Sequence, residues 1–579
     1  MRSLASRFAR QESVHDYVGV LVPLEEAHLH SHSARSGRTE FEEAQASPDD
    51  VGIDEPESEA AKDGENEGTG MLQMSAAEYS IEGLRRDVRK GERGQRWSEY
   101  ELKSKLINKA IQDIGMGRYQ WQMFVLCGFG WFADNLWMQG VSLTLPSLSQ
   151  EFDVSEKHVR YTTSALYVGL STGSVIWGIG SDIYGRRVAF NATLLLAGIF
   201  GILAAYASSW TAVCILFALM GTGVGGNLPV EPDTSSSLLT LLSVWWSLGT
   251  LGSSLCAWYF ITNWPVDEGW HLFVSSIGIV TLVLFICRFF LFHLFESPKF
   301  LLSQGRQAEA VAVVHGIAYR NKTMTWLTEE IMDAVVDSEG TERLPVRVTA
   351  GNVIKQSLTS FSVGHLRPLF KTRKLGITTL LIWFCWATIG MGYPLFNAFL
   401  PQYLSHGGSE VPTVPDDGAP VSATPADTYR NYAIISMVGV PGSLLAAYTV
   451  DHKSPFLGRR GTLAISTLVS AVFLFLFVAF GTTPGSQLFF TCVEAFFQNI
   501  MYGVLYAFTP EIFPAPVRGA GTGVASFLNR VMGLVAPILA ANFPGNGTEG
   551  PIYLSAILIL AAFVGMVLIP IETRGRQRL

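Results

Sequence analysis

The sequence predicts an all-α membrane protein of twelve transmembrane helices in two pseudo-symmetric six-helix bundles. Three observations predict it. Of the 579 residues, 16% are charged and 49% hydrophobic, against roughly 25% charged in soluble domains. Charge concentrates in residues 1–118 and 296–374. What remains, roughly 380 residues, reads as apolar runs of about 20, each long enough to cross a ~30 Å hydrocarbon core. Finally, motifs recur in the two halves at an offset of about 275 residues, and duplicated six-span units are a transporter architecture. This pattern excludes a soluble enzyme, and a net charge of −8 with no basic domain excludes a nucleic-acid binder. Cys127, Cys214, Cys256, Cys287, Cys385 and Cys492 all fall in apolar runs without a C-x-x-C pair. They read as small hydrophobes, so no disulfide framework and no metal site is expected.

In chain order, residues 1–118 form a tail expected to be largely disordered, because Pro48 to Gly70 is acidic and poor in aromatics. The tail turns helix-like from Trp97 to Ile114 and leads into the first span. The N-terminal bundle, 119–295, holds spans over 119–146, 161–180, 188–207, 211–230, 238–261 and 271–295. A polar central stretch, 296–374, separates it from the C-terminal bundle, 375–571. Spans there cover 375–401, 429–450, 461–481, 486–509, 518–542 and 551–571, followed by a short tail, 572–579.

Orientation follows from basic residues. Arg186, Arg187, Lys371, Arg373, Lys374, Lys453, Arg459, Arg460, Arg518 and Arg574 fall on one set of connections. The opposite set holds little beyond Lys157 and Arg160, and is acidic at Asp267, Glu268 and Glu410. The positive-inside rule then puts both termini and the central stretch in the cytoplasm. Arg288, near the basic end of span six, is expected to snorkel out as an anchor. The sequon Asn321-Lys322-Thr323 lies on the cytoplasmic side and should be inert.

Gly178 to Arg187 reads G-I-G-S-D-I-Y-G-R-R. Gly178 would allow close helix approach, Gly185 a tight turn, and Asp182 charge-assisted bonds, with Arg186 and Arg187 anchoring the loop. The pattern G-x-x-x-D-x-x-G-R-R resembles the loop signature of the major facilitator superfamily. That resemblance implies the superfamily's twelve-helix fold and a gating latch at this loop. The second copy, Gly458-Arg459-Arg460, departs from it, since Asp451 lies seven residues before Gly458.

Phe295-Glu296-Ser297-Pro298-Lys299, Tyr506 to Pro514 with Arg518-Gly519, and Pro570-Ile571-Glu572-Thr573-Arg574-Gly575 resemble sugar-porter signatures. These extend the implied latch to Glu296, Arg459, Arg460, Glu511, Arg518 and Glu572. Gly128 to Asn135 and Phe497 to Gly503 are similar to fungal sugar-transporter-like proteins akin to the synaptic vesicle glycoproteins. That branch continues past Gly225 to Val230 with an acid, a short apolar run and a second acid. Here Glu231-Pro232-Asp233-Thr234 intervenes and the end of span four is shortened.

A charge at mid-bilayer costs roughly 2.5–3.5 kcal/mol and normally faces a partner or a wet cavity. Asp134, Glu494 and Arg530 are such charges. At about 100° per residue, Asp134 shares one arc of its span with Trp131, Asn135, Met138 and Gln139. Glu494 shares another with Gln498, Asn499 and Tyr502. With Asn227 and Asn397, which the resemblance places on cavity-lining spans four and seven, they form the candidate substrate and proton site, and Tyr393 on span seven would add a further polar group. Asp134 and Arg530 are also candidates for a structural ion pair, and Trp383 and Trp386 for stacking on a sugar ring or for packing.

The expectation is a secondary active, proton-coupled transporter of a small polar organic solute, sugar-like or an organic acid. It would be monomeric, seated in the plasma membrane or an endomembrane such as the vacuole, with no cofactor and no enzymatic activity. The competing class is a non-transporting receptor or scaffold with a transporter fold, favoured by the long tail and the shortened span four.

Overall fold

A computed structural model describes residues 12–27, 79–89, 99–184, 186–226, 240–291, 294–336, 367–405, 425–450, 458–513, 518–543 and 549–570. The helices in chain order are α1 (Ile81–Arg89), α2 (Glu99–Ile114), α3 (Arg118–Glu151), α4 (Glu156–Val159), α5 (Tyr161–Tyr184), α6 (Arg186–Ala204) and α7 (Trp210–Val224). There follow α8 (Ser243–Asn263), α9 (Val266–Ile286), α10 (Pro298–Ser303), α11 (Gln307–Asn321), α12 (Glu329–Val336) and α13 (Arg373–Phe396). The last are α14 (Leu400–Ser405), α15 (Pro425–Val450), α16 (Arg459–Phe480), α17 (Pro484–Ile512), α18 (Arg518–Ala541) and α19 (Glu549–Leu568).

Twelve of these, α3, α5 to α9, α13 and α15 to α19, lie where spans are expected. Eight of them are long and apolar enough to cross a membrane: α6, α9, α13 and α15 to α19. The other four fall short for reasons visible in their residues. Asp134, Asn135 and Gln139 dilute α3, glycine and hydroxyl side chains dilute α5 and α8, and α7 has 15 residues.

The chain divides into two compact units. The larger is the helical bundle, spanning Phe124–Tyr184, Val188–His293 and Ile354–Leu579. Its core is built from fully buried residues on many helices, Trp137, Phe217, Phe273, Phe399 and Phe508 among them. Helices α5 and α7 meet through glycine: a Cβ at Gly169 or Gly173 would overlap the carbonyls of Ala218 or Thr222. Gly178, expected to serve this purpose, does not, because a Cβ there would meet open space. Arg288 also departs from expectation. It sits in a π-helical turn, Cys287–Leu291, is 2% exposed, and donates to the Phe190 carbonyl at 3.0 Å over the Phe190 ring. A side chain held this way is packed inside the bundle and does not reach an interface.

The smaller unit draws on Met1–Met123, Gly185–Arg187 and Leu294–Val353. Tail and central stretch, expected as separate segments, contribute to one core here. The cause is legible in α2: Leu102, Leu106, Ile107, Ala110 and Ile114 are buried, at the i, i+4 spacing of one apolar face that needs a cover. The unit's buried residues also include Ala310, Val313, Val314 and Ile317 of α11, with Trp326, Leu327 and Met332. Residues 20–22 run parallel to Thr325, exchanging backbone bonds of 3.1 and 2.9 Å. Lys103 donates to Glu99, Gln307 and Asp333 at 2.6 to 2.7 Å. Burial pulls the Lys103 pKa down, but the bonds and charges of Asp333 and Glu99 outweigh it and leave the pKa raised. His315 is 1% exposed and hydrogen-bonded to the Leu327 carbonyl at 2.7 Å, and burial pushes its pKa down.

Candidate functional site

The bundle holds a small, partly open cavity of about 90 Å³. Seven helices contribute walls: α3, α5, α7, α8, α13, α17 and α18. Of the residues expected at the site, Asp134, Asn135, Tyr502 and Arg530 line it.

Arg530 is fixed by backbone. Its guanidinium donates to the Leu170 carbonyl at 2.9 Å and to the Gly225 carbonyl at 3.3 Å. Both acceptors belong to the first half of the chain, so this arginine ties α18 across the cavity wall. Asp134, on the opposite half, is close enough to act electrostatically on Arg530 and on Tyr506. Asn135 donates to the Trp131 carbonyl one turn earlier, at 2.9 Å. One cavity therefore presents a carboxylate and a guanidinium from different halves.

The rest of the lining is largely aromatic: Trp131, Tyr393 and Tyr502 were expected near the site, whereas Tyr167, Trp246 and Tyr506 were not. Trp246 stacks on Tyr502 with centroids 5.0 Å apart, and Trp131 meets Tyr506 edge-on at 5.1 Å. Tyr393 meets Tyr502 at 5.5 Å, and Tyr167 completes the wall. Tyr506 was within reach of sequence reasoning, being one helical turn beyond Tyr502. Trp246 and Tyr167 carry no charge and sit in ordinary apolar runs, so no signal marked them. Asn529 also lines the cavity, and its buried side-chain oxygen has no hydrogen-bond partner.

The remaining candidates sit elsewhere. Glu494 is 1% exposed and accepts from Ser470 at 3.1 Å. Asn397 donates to Gln498 at 3.2 Å. Asn499 accepts from Ser247 at 2.7 Å and donates to the Ala495 carbonyl. Gln139 is buried on α3. None of these five is in the cavity lining. Asn227 lies outside the described residues. Trp383 and Trp386 pack within the second half, donating to the Gly521 carbonyl at 3.0 Å and to Thr509 at 2.9 Å.

The two basic loops are held differently. In the smaller unit Glu296 accepts from the backbone amides of Arg186 and Arg187 at 3.0 and 3.3 Å, capping α6. In the bundle, the Arg459 guanidinium pairs with Glu511, both side chains under 10% exposed, and Arg460 donates to the Val567 carbonyl. Gly185 and Glu572 lie outside the described residues, as do the side chains of Asp182 and Arg518.

Comparisons with known proteins agree with this architecture. Residues 123–457 match the family model for the Major Facilitator Superfamily, and 425–577 the model for Sugar (and other) transporters. The MFS siderochrome iron transporter 1 of Ceriporiopsis subvermispora is 41% identical over 499 residues, covering 83% of this chain and 92% of its own. The Synaptic vesicle 2-related protein of Xenopus laevis is 27% identical, covering 81% and 82%. Among solved structures, the proton:xylose symporter XylE superposes with a TM-score of 0.57 at 16% identity, covering 79% of this chain and 97% of that one. The motifs, the helical bundle and these matches converge: the chain is a multi-pass membrane protein of the major facilitator superfamily.

Proposed function

We propose that this chain is a secondary active transporter of a small polar organic solute, sugar-like or an organic acid. It works by alternating access, coupled to protons. The observation that carries this reading is the pairing, in one aromatic-walled cavity, of Asp134 from the first half with Arg530 from the second. Two halves that each hold one charge of a shared site change that site's electrostatics whenever they move apart.

Arg530, placed by two carbonyls, offers a fixed cation to an acidic or hydroxyl-rich solute. Asn135, Asn529 and Tyr502 add hydrogen-bonding groups, and the rings of Trp131, Trp246 and Tyr393 cover the apolar face of a solute. Asp134 is the proton carrier, taking a proton on one side and releasing it on the other. Glu494, Asn397, Gln498, Asn499 and Gln139 support the site from behind its wall, and Asn227 adds a further polar group to it. Glu296 with Arg186 and Arg187, and Arg459 with Glu511, act as the latches. The basic ends, both termini and the smaller unit face the cytoplasm, as the distribution of arginines supports.

The test is solute uptake into sealed vesicles across a series of pH steps, with and without Asp134→Asn. The expected outcome is uptake that depends on pH in the parent and loses that dependence in the variant. Solute-induced thermal stabilisation would persist in both. An Asp134→Asn variant with unchanged pH-dependent uptake would remove Asp134 as the carrier.

A further inference from the structure

Arg160 belongs, by sequence, to the weakly charged connections opposite the basic loops. A loop arginine is normally solvated, yet Arg160 is 6% exposed. Its guanidinium donates to the Ala540 carbonyl at 2.8 Å and lies over the Phe399 ring, 5.1 Å from its centroid. Arg160 precedes α5 in the first half, whereas Ala540 ends α18 and Phe399 follows α13 in the second. A buried arginine tied to a carbonyl and an aromatic face is a strong, desolvated contact.

Two further bonds join the halves at this same end of the bundle. Asn542 donates to the Tyr161 hydroxyl at 2.9 Å. The Tyr429 hydroxyl, 3% exposed, donates to the Leu143 carbonyl at 3.0 Å. The seam between α5 and α18 is thus bonded at this end, through Arg160 and Asn542, and at mid-height, through Arg530. The other seam, between α8 and α15, carries hydroxyl pairs along its length, Ser254 with Ser436 at 2.9 Å and Ser247 with Ser443 at 2.7 Å. Uncharged hydroxyl pairs across small residues are cheap to re-form as helices tilt. A buried guanidinium is not, since separation leaves its donors facing whatever enters the gap.

We propose that Arg160 is the gate latch at the end opposite the basic loops. It holds the cavity shut on that side, and its release from Ala540 and Phe399 is the step that opens the cavity there. The proposal rests on the alternating-access reading, and makes Arg160 a positioning residue that acts on access and not on the solute.

The test replaces the six native cysteines with alanine, places a single reporter in the cavity wall, Met138→Cys, and measures its labelling by a membrane-impermeant thiol reagent from each side of oriented vesicles. Adding Arg160→Gln is expected to raise labelling from the Arg160 side about tenfold relative to the other side, the scale of one charge-assisted hydrogen bond. Arg160→Lys, which keeps one donor for the Ala540 carbonyl, is expected to restore part of the original ratio. If Arg160→Gln fails to fold, Phe399→Leu and Tyr161→Phe carry the test, each with a smaller shift in the same direction. An unchanged ratio in whichever of these variants folds overturns the latch. If the parent labels from the basic side alone under every gradient while Arg160→Gln admits reagent from the other, the latch stands and alternating access falls. If the parent labels from both sides and the variants do not shift the ratio, alternating access stands and the latch falls.

Discussion

The two Gly-Arg-Arg loops are near copies in sequence and opposites in chemistry. In the first, Glu296 bonds the backbone amides of Arg186 and Arg187, leaving the arginine side chains out of that contact. In the second, the Arg459 side chain makes the contact, and its partner Glu511 is buried with it. The first is a helix cap, the second a desolvated ion pair. A cap satisfies groups that any helix start exposes, so its loss is local. A buried ion pair is held against a desolvation cost, so removing one partner strands the other. Gly458 has φ +124°, which suits glycine and sets the start of α16. A repeated motif therefore need not repeat the partner.

That contrast can be broken experimentally. Arg459→Ala should be the most damaging change, costing up to about 3–5 kcal/mol by removing the buried cation that faces the buried Glu511 carboxylate. Pairing it with Glu511→Ala should recover most of the loss, as read by thermal unfolding in detergent. Equal losses in the single and double variants would show that the charge pair is not what holds this end. Glu296→Ala should cost less, about 1–2 kcal/mol, because it removes a cap. Glu296→Gln should retain about half of that. A loss as large as that of Arg459→Ala would erase the distinction.

The smaller unit also holds a buried histidine, His315. The folded-state pKa of His315 is depressed by burial. Its contribution is fully present above the unfolded value near 6.5 and is lost as pH falls through that value toward the folded one. Hydrogen exchange of α11 and α12 should therefore speed up on mild acidification, and His315→Gln should blunt the change. The smallest effect belongs to Lys103→Met. Its partner Asp333 is 58% exposed, so solvent screening limits the loss to under about 1 kcal/mol. Added salt should shrink it further.

The fold was legible because membrane spans are written in composition, and a 20-residue apolar run has few soluble alternatives. The charges Asp134 and Arg530 were legible for the same reason, standing out against apolar neighbours. Helical periodicity put Asp134 and Asn135 on one arc but could not distinguish a face turned to a cavity from one turned to another helix. Asn499 and Gln498 show this, sharing an arc with Tyr502 yet bonding to Ser247 and Asn397. Arg288 was misread for a related cause. Near a helix end, sequence position alone does not say whether a long side chain finds water or a carbonyl first. The core shared by tail and central stretch was hidden because two segments some 200 residues apart complete it.

Asn321 carries a consequence for mapping this protein in its membrane. Its side-chain oxygen accepts from the Tyr119 amide at 2.9 Å, and its nitrogen donates to Gln120 at 2.7 Å. Both atoms of the amide are engaged at the first turn of α3, and a glycan on that nitrogen would require the turn to be released. The sequon is thus chemically sealed by folding, whichever compartment it faces. A sugar-acceptor tag meant to report sidedness belongs on an exposed segment away from the first turn of α3.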